Sequence, residues 1–216
     1  MFENVGEAVR FALGYNALVT DLVTRFGHAT FGWRKAGPRM IAICGRSRSG
    51  KSAIAHALTR AFLESGGNCL LVRLDDWIQP AAERRTQDTA EIRNRVDQLP
   101  AILAALRQGE TITAPGYDSA RRVQGSPVTY DSAGRSIIIL DGVFAAHATV
   151  RSQIDFAAFV DTPETVQRRR FEALYRWKRF DDAAMQELWR ARIADEWAAV
   201  DAQRETCDVI VSASQP

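Results

Sequence analysis

Residues 45–52 read Gly-Arg-Ser-Arg-Ser-Gly-Lys-Ser, between a continuous apolar run at 39–44 and a stretch of helical spacing at 53–63. This is the G-x-x-x-x-G-K-[ST] pattern in the strand, loop and helix setting that gives it meaning. Gly45 and Gly50 let the backbone turn tightly enough for successive N–H groups and the helix N-terminus to point at one anion. Lys51 supplies a compact charge for the β- and γ-phosphates, and the Ser52 hydroxyl is suited to ligate Mg²⁺. Only three of the 28 cationic residues are lysines, and one of them stands here. Gly45, Arg46, Ser47, Arg48, Ser49, Gly50, Lys51 and Ser52 are thus the expected binding loop of a nucleoside triphosphate, with the amides of residues 46–51 around the phosphates.

Further apolar runs at 68–74, 136–140, 156–160 and 208–211 have strand character, and helical spacing fills much of the sequence between them. Parallel neighbours need crossover connections, which helices supply. The fold class expected is therefore α/β, the P-loop NTPase fold, with a mostly parallel central sheet flanked by helices. Its 216 residues suit one compact domain. Residues 2–27 carry an apolar stripe that predicts an N-terminal helix, so 1–38 is set apart as a helical extension and 39–216 as the main domain. Pro100 predicts a fresh helix start after a boundary near 98–99. Pro115, Gly116, Gly125, Pro127 and Gly134 mark 110–135 as an excursion from the sheet that would face a substrate. Thr162, Pro163 and Glu164 read as an N-cap, a first-turn proline and a first-turn acid.

With 28 Lys and Arg against 26 Asp and Glu, the net charge of +2 does not favour nucleic acid as a partner, although aromatics interleave the cations at 168–180. The longest run without a charged residue, 11–20, is too short to span a bilayer. No basic leader-like segment opens the chain, so neither a membrane nor export is expected and the cytoplasm is the expected location. Cys44, Cys69 and Cys207 are odd in number, widely spaced and adjacent to apolar runs, which predicts reduced thiols. His28, His56 and His147 form no ligand pattern.

Two carboxylate positions complete the chemistry. Asp141 follows the strongest strand signal, where an acid can hold Mg²⁺. Asp75 and Asp76 end another strand; adjacent residues there face opposite ways, so one acid is expected to act on an acceptor hydroxyl and the other to be structural, with Asp75 preferred. No Asn/Thr-Lys-x-Asp motif accompanies the three lysines, which argues against a guanine-nucleotide switch.

In order, Gly45–Ser52, Asp75-Asp76-Trp77, Pro115-Gly116-Tyr117-Asp118, Ile139-Leu140-Asp141-Gly142 and the arginines at 168–170 resemble the motifs of the uridine kinase and phosphoribulokinase family of P-loop kinases, over about residues 39–211. The resemblance implies transfer of the γ-phosphoryl group of ATP, with Mg²⁺, to a hydroxyl of a small molecule, a nucleoside or a sugar-like metabolite. It implies Lys51 and Asp75 as catalytic groups, Ser52 and Asp141 as metal ligands, and Tyr117 in the acceptor pocket. Asp141 stands where the family usually has Glu. Trp77 is either a base contact or a core residue. Arginines of a lid at about 168–182 would close over the phosphates, and Arg169 and Arg176, seven apart, share a helix face. Arg122 stands where uridine kinases tend to carry histidine, and a guanidinium there suits an anionic acceptor or is a solvated loop residue. The competing readings are a non-catalytic nucleotide-binding regulatory module, a kinase for an anionic acceptor, and a bare ATPase.

Overall fold

The computed structural model describes residues 21–25 and 37–212. Strand β1 (Arg39–Cys44) leads through the 45–50 loop into helix α1 (Lys51–Glu64), and β2 (Cys69–Arg73) ends in a 3-10 turn at Leu74–Trp77. Two helices follow, the short α2 (Ala90–Arg93) and α3 (Leu99–Arg107). The strands β3 (Thr111–Ala114), β4 (Tyr117–Asp118), β5 (Val123–Gln124) and β6 (Val128–Asp131) make two antiparallel ribbons, β3 with β6 and β4 with β5. The chain then returns through β7 (Ile137–Asp141) and β8 (Phe156–Asp161) to α4 (Glu164–Trp177) and α5 (Asp182–Arg192). A π-helical turn, Ile193–Trp197, continues into α6 (Ala198–Asp201), and β9 (Val209–Ser212) ends the described chain.

The main sheet has the order β2-β7-β1-β8-β9, with every neighbouring pair parallel. Parallel strands have both faces covered, and β1 shows how its sequence meets that demand. Met40, Ala42 and Cys44 enter one core with Leu99, Leu103 and Leu106 of α3 and with Phe144. Ile41 and Ile43 enter the other core with Ile54 and Leu58 of α1. Alternation along one strand thus joins two helical layers through the sheet. The loop at 45–50 leaves the carboxyl end of the central strand, which is where sheets of this kind bind ligands.

The excursion at 110–135 consists of the two ribbons, and α3 starts at Leu99 with Pro100 in its first turn. Asp75 and Asp76 lie on the 3-10 turn rather than on a strand end, because β2 stops at Arg73. Thr162 does not cap α4, whose N-cap is Pro163 without a side-chain bond. Its hydroxyl instead donates to the Ser49 carbonyl at 2.7 Å, which ties the end of β8 to the binding loop. The expected helix at 2–27 lies outside the described residues except for a helical segment at 21–25, where Leu22 is buried in the α1 core. All three cysteines are free thiols; Cys44 Sγ lies 3.5 Å from Cys207 Sγ, and burial pushes the Cys69 thiol up to about 11. Among the described residues no helix is long and apolar enough to cross a membrane.

Candidate active site

The binding loop is held by its surroundings as much as by its own sequence. Gly45 has φ +139°, and a Cβ there would stand 2.6 Å from the Val160 carbonyl of β8, so the loop can leave β1 this close to the sheet only as glycine. Gly50, also left-handed, starts α1 without a side-chain cap, and the first-turn N–H groups of the helix have no intrahelical acceptor. Thr162 and Arg170 grip the outside of the turn: Arg170 Nη1 donates to the carbonyls of Arg48 and Ser49 at 3.2 and 3.1 Å. With those carbonyls drawn outward, the loop is biased to present N–H groups on its other side. Arg48, at the crown, adopts φ +67°, a conformation that costs a non-glycine residue about 1 kcal/mol and that clusters at functional sites.

The Lys51 side chain is buried yet makes no ion pair among the described residues. It lines a cavity of about 510 Å³ together with Ser47, Arg48, Asp75, Tyr117 and Arg122. Burial holds the Asp75 carboxyl above the ordinary carboxylate range; Lys51 opposes that shift and the nearby Asp141 charge adds to it. Lys51, Asp75 and Asp141 therefore share one electrostatic neighbourhood at the carboxyl ends of the central strands. Asp141 is buried at the end of β7, with Oδ1 lacking a hydrogen-bond partner, an acceptor that a cation would satisfy. That oxygen and the Ser52 hydroxyl are hard donors of the kind Mg²⁺ takes. Among the described residues no group of three or more His, Cys, Asp or Glu forms a metal site on its own.

The two adjacent acids separate completely. Asp76 turns into the core, pairs with Arg73 at 3.5 Å, and accepts a hydrogen bond from the Tyr130 hydroxyl, which in turn accepts the Arg73 N–H at 3.2 Å. Burial and that carboxylate push the Tyr130 phenol well above its usual range. Trp77 stacks on the Tyr130 ring at 5.6 Å in the same core and is absent from the cavity wall, so of its two readings the structure gives core packing. A 3-10 turn has three residues per revolution, so three successive side chains point three ways; here the first faces the cavity and the next two the core.

The arginine run sorts by helix phase. Phe171 and Tyr175 are buried, which rotates Arg170 toward the binding loop and leaves Arg169 exposed. Arg176 pairs with Glu172 and Asp182, at 3.6 and 3.7 Å, on a face shared with Arg168. Neither Arg169 nor Arg176 lines the large cavity, contrary to the expectation that they close over the phosphates. Lys178 and Arg192 line it instead, with Arg84 and Arg93 from the segment after β2. Lys178 lies within the expected lid at 168–182; Arg84, Arg93 and Arg192 belong to no local motif, and tertiary packing brings them to the cavity.

The π-helical turn closes one side of the site. Glu196 accepts the Ser47 N–H at 3.1 Å, Asp195 pairs with Arg93, and Arg46 lies over the Trp197 ring at 3.9 Å while its Nε donates to Asp201 at 2.7 Å. Such turns recur at functional sites because the extra residue re-aims side chains.

Comparison with known proteins agrees with this fold. A uridine kinase of Listeria monocytogenes is 28% identical over 137 residues, covering 60% of this chain and 64% of that protein, a little under two thirds of the relative's length. A structure described as a possible uridine kinase from Bacillus stearothermophilus superposes with a TM-score of 0.65 at 22% identity, over 90% of this chain and 97% of the other. D-glycerate 3-kinase from Cryptococcus neoformans superposes with a TM-score of 0.63 at 11% identity, over 94% and 96%. These two structures speak to the fold alone. The family model described as "Phosphoribulokinase / Uridine kinase family" matches residues 40–215, nearly all of the described domain, and the chain belongs to that family.

Proposed function

We propose that this chain transfers the γ-phosphoryl group of ATP to a hydroxyl of a small molecule, a nucleoside or a sugar-like metabolite. The observation that carries the proposal is the placement of Lys51, beside the binding loop, and of Asp75 on the wall of a single cavity. The loop amides and Lys51 would hold the triphosphate, the Ser47 N–H being released by Glu196 as it binds. Asp75 would accept or orient the acceptor's hydroxyl proton; its raised pKa brings it closer to a useful base strength than an ordinary aspartate. Ser52 and Asp141 would hold Mg²⁺, which when bound neutralises charge on the phosphoryl oxygens. Arg48 and Arg192, on the same wall, are suited to screen the remaining negative charge. Free thiols accord with action in the cytoplasm.

The test is ADP formation across a panel of hydroxyl acceptors, with Lys51→Ala and Asp75→Asn beside the native protein. Both substitutions are expected to lower turnover by at least about a thousandfold, in line with removal of phosphate contacts or of the group positioning the nucleophile. Asp75→Asn should leave ATP affinity nearly intact. Normal turnover by that variant removes Asp75 from the mechanism. Tight ATP binding without ADP formation on any acceptor indicates a regulatory module, and acceptor-independent ADP formation indicates a bare ATPase.

A further inference from the structure

The large cavity carries far more positive charge than the rest of the molecule. Eight cationic side chains and four carboxylates line it, an excess of four, whereas the whole chain has a net charge of only +2. Three of the four carboxylates are already engaged: Asp88 accepts the Arg85 N–H at 2.8 Å, Asp195 pairs with Arg93, and Glu196 accepts the Ser47 N–H. Arg122 and Arg48 have no ion pair among the described residues. Arg84 is anchored by neutral groups only, donating to the Gln79 carbonyl at 2.9 Å and to the Tyr117 hydroxyl at 3.1 Å.

These cations fall into two sets by their place in the fold. Lys51 and Arg48 belong to the loop after β1. Arg84 and Arg93 follow β2, which lies two strands away across β7, a separation of about 10 Å at ordinary strand spacing. Arg122, on the β4–β5 turn, joins that second set, because the Ala81 N–H donates to the Arg122 carbonyl at 2.9 Å and locks the two segments together. Its φ of +62° is held by a second bond, from its own N–H to the Asp118 carbonyl at 2.7 Å. Two guanidinium groups on cross-tied backbones thus line the same cavity, and the planar donor fork of each suits the paired oxygens of a carboxylate or phosphate.

On the strength of the kinase reading, we infer that the acceptor carries an anionic group, carboxylate or phosphate, besides its hydroxyl, and that Arg84 and Arg122 bind that group on the β2 side of the cavity. Asp75, at the foot of the same side, then meets the hydroxyl while the triphosphate occupies the loop. The crowding of like charges fits an anion as the missing partner. Burial, then repulsion from Arg84 and more weakly from Arg122, pulls the Arg93 guanidinium below its ordinary range; Lys178 is lowered by burial and by Arg48, Arg122 and Arg192.

Matched probes test the inference: glycerol against D-glycerate and glycerol 3-phosphate, and ribose and uridine against ribose 5-phosphate. Binding is measured by calorimetry with a non-hydrolysable ATP analogue present, and ADP formation is measured in parallel with ATP. At least one anionic probe is expected to bind more than tenfold tighter than its neutral counterpart. Arg122→Gln and Arg84→Gln should each remove at least tenfold of that affinity while leaving the neutral probes unchanged, and which anion wins separates carboxylate from phosphate. Arg122→Lys should recover only part of the loss, because it restores charge without the fork. Should Arg84→Gln fail to fold, the Arg122 pair decides. Equal or tighter binding of the neutral probes, binding of none, or indifference to Arg122→Gln overturns the inference. ADP formation driven by uridine or ribose then leaves the kinase reading standing. Selective anion binding without ADP formation on any acceptor does the reverse, supporting the anion site and removing the kinase reading.

Discussion

Asp75 sits where ionisation is disfavoured, and the sign of that effect makes a prediction about stability. Its folded pKa is raised, chiefly by burial, so the unfolded chain releases the proton at lower pH than the folded one does. Stability therefore falls as pH rises from the unfolded value, about 3.9, through the folded one, and at neutral pH the carboxylate is a cost to the fold. Asp75→Asn is expected to raise Tm at pH 7, and the gain should vanish below about pH 4, where both forms are neutral. An unchanged or lower Tm at pH 7 refutes the burial argument. The same raised value puts the acid limb of the kcat/KM profile above the ordinary aspartate range. Single residues also mark the limit of what a sequence discloses. Gly45–Ser52 is legible because its geometry is set within eight consecutive residues. The role of Trp77, beside the acid that faces the cavity, turns on a 3-10 turn that no periodicity announces. The run at 168–170 advertises charge, yet only the burial of Phe171 and Tyr175 decides that Arg170 is the one that meets the loop.

Among the elements, α3 is tied to the sheet by an ion pair whose acid is buried. Asp155, just before β8, has a side chain 1% exposed; it accepts the Met40 N–H of β1 at 2.8 Å and the Arg107 guanidinium, from the last turn of α3, at 3.0 Å. Removing the guanidinium takes a charged partner from a carboxylate that stays buried. Arg107→Ala should lower unfolding free energy by about 3 kcal/mol, read from urea denaturation with an unchanged m-value, whereas Asp155→Asn with Arg107→Ala together should cost less than the sum. Additive losses would show that the two do not interact. The strands themselves are plain in the sequence as apolar runs, because parallel strands must be covered on both faces. Their order, β2-β7-β1-β8-β9, is not, since β1 lies between β7 and β8, which begin only at Ile137 and Phe156. Every cation that reaches the cavity from β2, α4 or α5 depends on that order.

For the molecule as a whole, the π-helical turn is the piece that touches both ends of the site. Asp195 holds Arg93 on the β2 side, and Glu196 holds the Ser47 N–H in the binding loop. Between the loop and α5 lies Trp197, beneath Arg46 at 3.9 Å and edge-on to Trp189 at 5.7 Å. If phosphate oxygens take the residue-47 amide, Glu196 has to give way, and the neighbouring indole moves with it. The molecule then carries its own optical gauge: ATP should change intrinsic tryptophan emission in a saturable way, and Trp197→Phe should abolish most of the signal without abolishing binding by calorimetry. Emission that stays flat through a calorimetrically complete titration means Glu196 keeps its place. With five indoles in the chain and this one resting on the loop's own arginine, occupancy becomes visible without a label.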